Sequence, residues 1–226
     1  MTISSQTADV AAFFDMDKTL LSDSSVLLLA RYMRSRGELS WSEVRIILKD
    51  VLRYKLGQLD LPEATRRYVE KIAGHLEADR IAHSHQWFQD HLIHYVAAEG
   101  RRWIEEHRRN GHRVALITAS PTYTADQLAR HLSIEPEDVM ATRFEVEDGR
   151  FTGRVLEPMV YGQGKLQAAR AYAARFGVDL ARSYFYTDSI EDLPLLERIG
   201  NPVAVNPDRP LRKLAKARGW AIQRFY

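Results

Sequence analysis

Residues 10–20 read Val-Ala-Ala-Phe-Phe-Asp-Met-Asp-Lys-Thr-Leu. The first five form a short apolar run with two aromatic side chains, which is typical of a strand buried on both faces. Asp15 and Asp17 follow at once, so polar chemistry begins where this strand ends. Open α/β sheets bind their ligands at the carboxyl ends of such strands. The stretch therefore predicts an α/β fold with a site at the end of its first strand.

Similar apolar runs recur along the rest of the chain, at residues 114–117, 184–186, 202–205 and 221–225. Segments with helical spacing separate most of them, and Gly177 and Gly219 are placed to end two of these helices. Strands that alternate with helices predict a doubly wound, mostly parallel sheet with helices on both faces. Alternating residues on both sides of Asp148-Gly149 predict an additional β-hairpin.

Roughly a hundred residues between the first two strands have helical patterns throughout. Ser40 with Glu43 forms a capping box, and Leu61-Pro62-Glu63 opens a further helix. A segment of this length is too long for a loop, so we expect it to pack as a small helical bundle. The predicted domains are an α/β core of residues 1–20 and 108–226 and a helical cap of residues 21–107.

The composition is that of an ordinary globular protein and excludes a collagenous or disordered chain, with 226 residues, 45% hydrophobic and 27% charged. Thirty-two Lys and Arg against thirty Asp and Glu argue against a nucleic-acid partner. The absence of cysteine excludes disulfides and thiolate catalysis. The first nine residues lack a signal-peptide pattern, and the longest strongly apolar run, residues 26–30, is too short to span a membrane. These features predict a soluble, cytoplasmic protein with no membrane partner.

Acidic residues follow two of the predicted strands. If the first strand continued, Asp15 and Asp17 would share a face, where carboxylates ~4 Å apart repel by about 4 kcal/mol at an effective dielectric of 20. Oxygen ligands without cysteine favour Mg²⁺ over zinc as the cation that relieves this repulsion. Asp188 and Asp192 follow a later strand, and parallel strands end along one edge. Each pair alone is also typical of solvated or helix-capping aspartates, but their convergence favours a metal site.

Small polar residues follow another strand. Thr118-Ala119-Ser120 precedes a helix, where free main-chain N–H groups form an anion site, although Ser and Thr are also ordinary helix caps. Lys165, behind Gly162 and Gly164, supplies a cation at a second helix start. A nucleotide-binding P-loop is not indicated there, because Leu166 stands where that motif has Ser or Thr.

These stretches carry a family resemblance. Residues 14–20 resemble the first motif of the haloacid dehalogenase superfamily of phosphotransferases, Leu116-Ile117-Thr118 resembles the second, Lys165 the third and residues 186–194 the fourth. The helical insert between the first two motifs resembles the cap of the phosphoserine-phosphatase-like branch. The fourth motif departs from the glycine-rich form of that branch, with Thr187 before the first aspartate and Ser189-Ile190-Glu191 after it. The departure retains the metal ligand and bears on the choice of substrate.

The resemblance implies a Mg²⁺-dependent phosphatase that acts on a small phosphorylated metabolite. Asp15 is the implied nucleophile that forms an aspartyl-phosphate, and Asp17 is the implied acid and base. Asp15, Asp188 and Asp17, the last through its main-chain carbonyl, are the implied metal ligands. The other implied site residues are Thr118, Ala119, Ser120 and Lys165 on the phosphoryl oxygens and Asp192 behind Lys165 or a metal-bound water.

Several alternatives stay open from the sequence. Phosphoserine and related amino-alcohol phosphates, histidinol phosphate among them, are substrates suggested by the resemblance. A phosphotransferase or mutase uses the same aspartyl-phosphate with an alcohol in place of water. A phosphorylatable signalling module is less favoured, because the insert and Asp17 do not belong to it. Seven of the eight histidines lie between His75 and His112, a grouping more typical of solvated or core histidines than of a zinc site. The sequence does not indicate the oligomeric state.

Overall fold

The computed structural model describes residues 9–55 and 58–226. Its strands are β1 Ala11–Phe14, β2 Arg113–Pro121, β3 Val139–Glu147, β4 Arg150–Leu156, β5 Tyr184–Thr187, β6 Asn201–Val205 and β7 Ala221–Gln223. They form one seven-stranded sheet in the order β4-β3-β2-β1-β5-β6-β7. Every neighbouring pair is parallel except β3 and β4, which are antiparallel. The predicted mostly parallel α/β sheet is confirmed.

The helices connect these strands and fill the insert. They are α1 Ser25–Ser35, α2 Trp41–Lys55, α3 Leu61–Lys71, α4 Glu77–Asp90, α5 Ala98–Arg109, α6 Thr122–His131, α7 Gln163–Phe176, α8 Leu193–Leu196 and α9 Arg209–Arg218. The predicted capping box forms at the start of α2, where the Ser40 N–H donates to the Glu43 carboxylate at 2.8 Å. Gly177 and Gly219 end α7 and α9 in the left-handed conformation, as the sequence predicts.

The predicted hairpin is β3–β4, and its two turn residues, Asp148 and Gly149, have φ values of 49° and 72°. Two positive φ values are the requirement of the tight turn that matches the twist of paired strands. Strand β2 is longer than predicted and runs to Pro121. Its register with β3 shifts after Thr118, where the Thr118 hydroxyl accepts the Ser120 N–H at 3.1 Å.

The two faces of the sheet are covered by different helices. All four residues of β1 are fully buried. Ala12 and Phe14 pack in one apolar cluster with side chains of α1, α4, α5 and α6, whereas Ala11 and Phe13 pack in a second cluster with α7, α8 and α9. This division follows from the alternation of side chains along a strand. A strand buried on both sides explains the continuous apolar run that opens the chain.

The insert is helical, as predicted, but its buried side chains join the sheet. Leu28 and Tyr32 of α1 and Trp87 and Phe88 of α4 lie in the same apolar cluster as Phe14. Val69 of α3 and Ile72, the residue after its end, pack on the β3–β4 hairpin. Each apolar cluster among the described residues therefore includes sheet residues, because helices this short bury their apolar faces against the largest apolar surface available.

All but the last two residues of helix α5 lie within the range that the sequence assigns to the cap, residues 21–107. The helix nevertheless packs against the sheet. Gly100 of α5 approaches Leu20 and Phe225 so closely that an added Cβ would lie 2.9 Å from the Leu20 side chain. Ile104, one turn further along, is fully buried. The division into residues 1–20 and 108–226 on one side and 21–107 on the other stays a prediction.

None of the helices in the described ranges combines the length and apolar character that crossing a bilayer requires.

A matched pair of isoleucines tests the packing of α5 on the sheet. Ile104→Ala should lower the free energy of unfolding by about 2–5 kcal/mol, because it leaves a cavity at a fully buried position. Ile46→Ala makes the same change in α2, where the side chain is 61% exposed, and should alter stability by only about 0.5 kcal/mol. Urea unfolding measures both, and equal losses would contradict this packing.

Candidate active site

The main chain leaves the sheet immediately after β1. The Asp15 N–H donates to the Tyr186 carbonyl at 2.9 Å and extends the pairing with β5 by one residue. A wide turn follows, closed by the Leu21 N–H donating to the Met16 carbonyl at 2.9 Å. Lys18 within it has a φ of 53°, in the left-handed region that side chains rarely adopt. The first strand therefore ends before Asp17, and the condition under which Asp15 and Asp17 would share a face is not met. The two aspartates contact different partners.

Asp15 is held by a buried lysine. Lys165 Nζ lies 2.7 Å from Asp15 Oδ1 and 2.7 Å from Asp192 Oδ2, and its side chain is almost fully buried. The Thr187 hydroxyl donates to the same Asp192 oxygen at 2.5 Å. The ends of β1 and β5 and the start of α7 thus meet around one ammonium group. The structure brings together Asp15, Lys165 and Asp192, which were predicted from three separate motifs.

Lys165 reaches this position because α7 begins in a tight passage. A Cβ on Gly164 would lie 1.7 Å from the Met159 carbonyl oxygen, so no larger residue fits there without moving the backbone. Gly162 has a positive φ of 51° at the residue before the helix. The glycines noted in the sequence therefore place the first turn of α7 against the loop that precedes it.

Asp17 turns towards the helical insert. Its Oδ1 accepts the Ser25 N–H at 2.7 Å and its Oδ2 accepts the Ser25 hydroxyl at 3.0 Å. The Ser25 hydroxyl also lies 3.3 Å from the hydroxyl of Ser120 at the end of β2. Ser25 is a site residue that the sequence did not reveal, because it lies eight positions beyond Asp17 and resembles an ordinary helix-start serine.

Asp188 lies just past β5 and is also buried. Its main-chain carbonyl accepts the Asp208 N–H at 2.9 Å, which fixes the backbone. No described residue donates a hydrogen bond to its carboxylate. The Tyr226 hydroxyl donates to the Lys18 carbonyl at 3.0 Å, within the turn that carries Asp17. Nothing in the sequence pointed to Tyr226, because the contact joins two distant parts of the chain.

Burial and neighbouring charges shift the pKa values of the groups at this site. Burial raises the pKa of Asp15 to about 7, against the opposing effect of Lys165. Burial and the negative charge of Asp15 raise the pKa of Asp188 to about 8. Burial also raises the pKa of Asp17, while its hydrogen bonds from Ser25 act in the opposite direction. Burial disfavours the charged form of Lys165, but Asp15 and Asp192 outweigh it and raise the pKa of the ammonium group.

This donor set fits Mg²⁺. The described residues contain no cluster of three His, Asp or Glu side chains placed to hold a metal ion. The implied ligands need no such cluster, because they are the carboxylates of Asp15 and Asp188 with the main-chain carbonyl of Asp17. All three offer hard oxygen atoms, which Mg²⁺ prefers.

The predicted phosphate-binding residues lie along the end of β2, beside β1 in the sheet. Thr118 is buried, and its hydroxyl accepts the Ser120 N–H. Helix α6 begins at Thr122, so this segment leads directly into a helix N-terminus. The structure therefore brings Thr118, Ala119 and Ser120 to the same sheet edge as Asp15.

Comparison with known proteins identifies the class. Residues 12–197 match the family described as haloacid dehalogenase-like hydrolase. The chain belongs to this family, and with phosphatases among its relatives it is a phosphoric monoester hydrolase. It is 33% identical over 219 residues to the phosphoserine phosphatase SerB1 of Mycobacterium tuberculosis, covering 95% of this chain and 70% of that protein.

Two solved structures support the fold. One is a Bordetella pertussis protein of unknown function, with a TM-score of 0.85, 29% identity and coverage of 97% of this chain and 100% of that one. The other is a phosphoserine phosphatase with an analogue of its phospho-aspartyl intermediate, with a TM-score of 0.70 and 18% identity, covering 97% of this chain and 94% of that one. The fold predicted from the sequence is that of these proteins.

The lysine at the centre of the site should be essential to stability. Lys165→Met leaves Asp15 and Asp192 buried without their cation and should lower the free energy of unfolding by about 3–5 kcal/mol. The loss should be larger at pH 8 than at pH 5, because burial raises the pKa of Asp15 to about 7, so that this carboxyl group is neutralised by a proton at the lower pH.

Lys213→Met, at an exposed position on α9, is the matched control and should change stability by about 0.5 kcal/mol or less. Urea unfolding at the two pH values measures the difference. A Lys165→Met protein as stable as the control at pH 8 would rule out a central structural role for the ammonium group.

Proposed function

We propose that the protein is a Mg²⁺-dependent phosphatase that hydrolyses a small phosphomonoester through an aspartyl-phosphate on Asp15. The observation that carries this proposal is the arrangement of Asp15: a buried carboxylate at the end of β1, with one oxygen bonded to Lys165 at 2.7 Å. Its other oxygen accepts no hydrogen bond from any described residue. An oriented carboxylate with a free oxygen, next to a second acid, suits nucleophilic catalysis.

In the first step, the free oxygen of Asp15 attacks phosphorus, and the bond from phosphorus to the ester oxygen breaks. Asp17 donates a proton to the departing alkoxide; its pKa, raised by burial, favours the protonated form needed here. In the second step, Asp17 takes a proton from the water that attacks the aspartyl-phosphate. Phosphate is released and Asp15 is regenerated.

Around the phosphoryl group, we assign binding of its oxygens to Thr118, Ala119, Ser120 and Lys165. The Thr118 hydroxyl accepts the Ser120 N–H and keeps its own proton to donate. Lys165 also donates to Asp192 at 2.7 Å, so that the ammonium group stays fixed as the nucleophile changes charge. Mg²⁺, held by Asp15, Asp188 and the Asp17 carbonyl, supplies positive charge to the phosphoryl oxygens when bound.

We propose phosphoserine or a related amino-alcohol phosphate as the substrate class. The likeness to a phosphoserine phosphatase over 95% of the chain supports this choice. The residues of the insert that would select among such phosphates stay unassigned. A phosphotransferase or mutase, in which an alcohol replaces water as the acceptor, is the alternative with the same chemistry. The cytoplasmic location stays a prediction.

The nucleophile is tested by Asp15→Asn, which should abolish release of phosphate from p-nitrophenyl phosphate at saturating Mg²⁺, because an amide oxygen is too weak a nucleophile for this displacement. Asp148→Asn makes the same change in the hairpin turn, where asparagine accepts a positive φ, and should leave activity unchanged. Turnover near the normal rate in Asp15→Asn would remove the assigned nucleophile.

Metal binding is tested by thermal unfolding without substrate. A carboxyl group whose pKa is raised on folding stabilises the protein below its unfolded pKa, and this contribution is lost as pH rises through the folded pKa. For Asp15 and Asp188 that loss occurs as pH rises towards about 7 and about 8, so the metal-free protein should melt at a lower temperature at pH 8.5 than at pH 6.

Mg²⁺ binds the ionised carboxylates, so it should raise the melting temperature more at pH 8.5 than at pH 6. At 100 times the dissociation constant the gain is about 2.7 kcal/mol. Asp188→Asn should lose most of this gain and Asp148→Asn should keep it. A gain from Mg²⁺ that is equal in wild type and Asp188→Asn would refute the assigned ligand.

A further inference from the structure

The carboxylate of Asp17 is held entirely from the insert, by the first residue of α1. Ser25 donates twice, from its main-chain N–H to Oδ1 and from its hydroxyl to Oδ2, and no other described residue donates to this carboxylate. We propose that Ser25 is a positioning residue for the proton transfers of Asp17. This inference rests on the function proposed above. It adds to the catalytic site a residue that lies outside the four motifs.

Two bonds to two oxygens fix the plane of a carboxylate, because rotation about its terminal torsion would break both. Each carboxylate oxygen has two lone pairs and uses one of them for Ser25, so a lone pair remains on each for the transferred proton. Ser25 is only 5% exposed, so water does not readily replace its hydroxyl. The arrangement fixes the orientation of Asp17 and leaves it able to react.

The donor is itself rigidly placed. Leu28, on the next turn of α1, is fully buried against the sheet. The Tyr32 hydroxyl, a further turn along, donates to Asp90 of α4 at 2.9 Å. Helix α1 is thus anchored both to the core and to a second helix of the insert, and its first residue transmits that anchoring to Asp17.

A short hydrogen-bond chain extends from Asp17 to β2. A hydroxyl donates one hydrogen bond, and that of Ser25 is directed to Asp17, so in its 3.3 Å contact with Ser120 it is the acceptor. Ser120 therefore donates to Ser25, which donates to Asp17. The chain links the acid–base group to the segment proposed to bind phosphate.

Ser25 does not serve the usual role of a serine at a helix start. An N-cap side chain accepts a main-chain N–H of its own helix. The N-cap position of α1 is Ser24, whose side chain makes no such bond, and the Ser25 hydroxyl is directed to Asp17. Loss of the Ser25 hydroxyl therefore removes a contact with the catalytic acid. It does not remove a cap from helix α1.

The experiment uses the whole protein with p-nitrophenyl phosphate and saturating Mg²⁺. Nitrophenolate leaves without a proton, so formation of the phosphoenzyme depends little on Asp17, whereas its hydrolysis requires Asp17 as a base. Ser25→Ala, which removes the hydroxyl donor, should lower kcat by about 10-fold and lower KM with it, so that kcat/KM changes little. Rapid mixing should show a burst approaching one nitrophenolate per active site.

Ser25→Pro removes both donors and should lower kcat further. Proline suits this position, because it is the first residue of α1 and the preceding Ser24 is extended, with φ of −69° and ψ of 130°. Ser25→Thr keeps both donors and should retain kcat within about 3-fold, as should the neighbouring control Ser24→Ala. Melting temperatures confirm that each variant is folded.

Wild-type kcat in Ser25→Ala would overturn the proposal. So would a fall in kcat/KM without a burst, because that pattern marks a general structural defect. Equal losses in Ser25→Thr and Ser25→Ala would likewise contradict it. The proposed function has a separate test: it fails if Asp15→Asn turns over, whereas an inactive Asp15→Asn with an unimpaired Ser25→Ala defeats only the positioning role.

Discussion

The site depends on one buried ammonium group. Lys165 lies between Asp15 and Asp192 at 2.7 Å from each, in a place with almost no access to water. A buried charge is tolerated only when it is paired and hydrogen-bonded. In this trio the ion pairs of Lys165 with Asp15 and Asp192 offset the desolvation cost of all three groups. The ends of β1 and β5 and the start of α7 must therefore stay in register around it.

The same interaction sets the chemistry. Three buried carboxyl groups, those of Asp15, Asp188 and Asp192, lie at this edge of the sheet. Burial, together with the charge of a neighbouring carboxylate, raises the pKa values of Asp15 and Asp188. Carboxylates grouped in this way suit the binding of Mg²⁺. The bound cation in turn suits the binding of a negatively charged phosphoryl group.

The insert has two relations to this centre. Helices α1 and α4 share an apolar cluster with the sheet, so they are fixed relative to β1. In contrast, α2 leaves Trp41, Ile46, Leu48 and Leu52 exposed and contacts the described residues chiefly through α1. Helices α1 and α4 thus pack firmly against the core. Ser25, the first residue of α1, holds the carboxylate of Asp17 through its two hydrogen bonds.

The sequence by itself determined the parallel sheet, the hairpin at Asp148-Gly149, the helical insert and the aspartates at strand ends. These are local properties: the alternation of apolar residues, turn chemistry and the rule that parallel strands end at one edge. The motif resemblance placed Lys165 in the same site and Asp192 behind it. Each of these features is encoded within a few neighbouring residues.

Only the tertiary structure decided how the side chains pair. The wide turn after Asp15 places Lys18 at a positive φ, a conformation its side chain does not favour, and separates Asp17 from Asp15. Ser25 and Tyr226 reach the site through contacts that no local pattern records. Such contacts depend on how α1 and the last strand pack on the sheet, which is set by the burial of apolar surface over the whole chain.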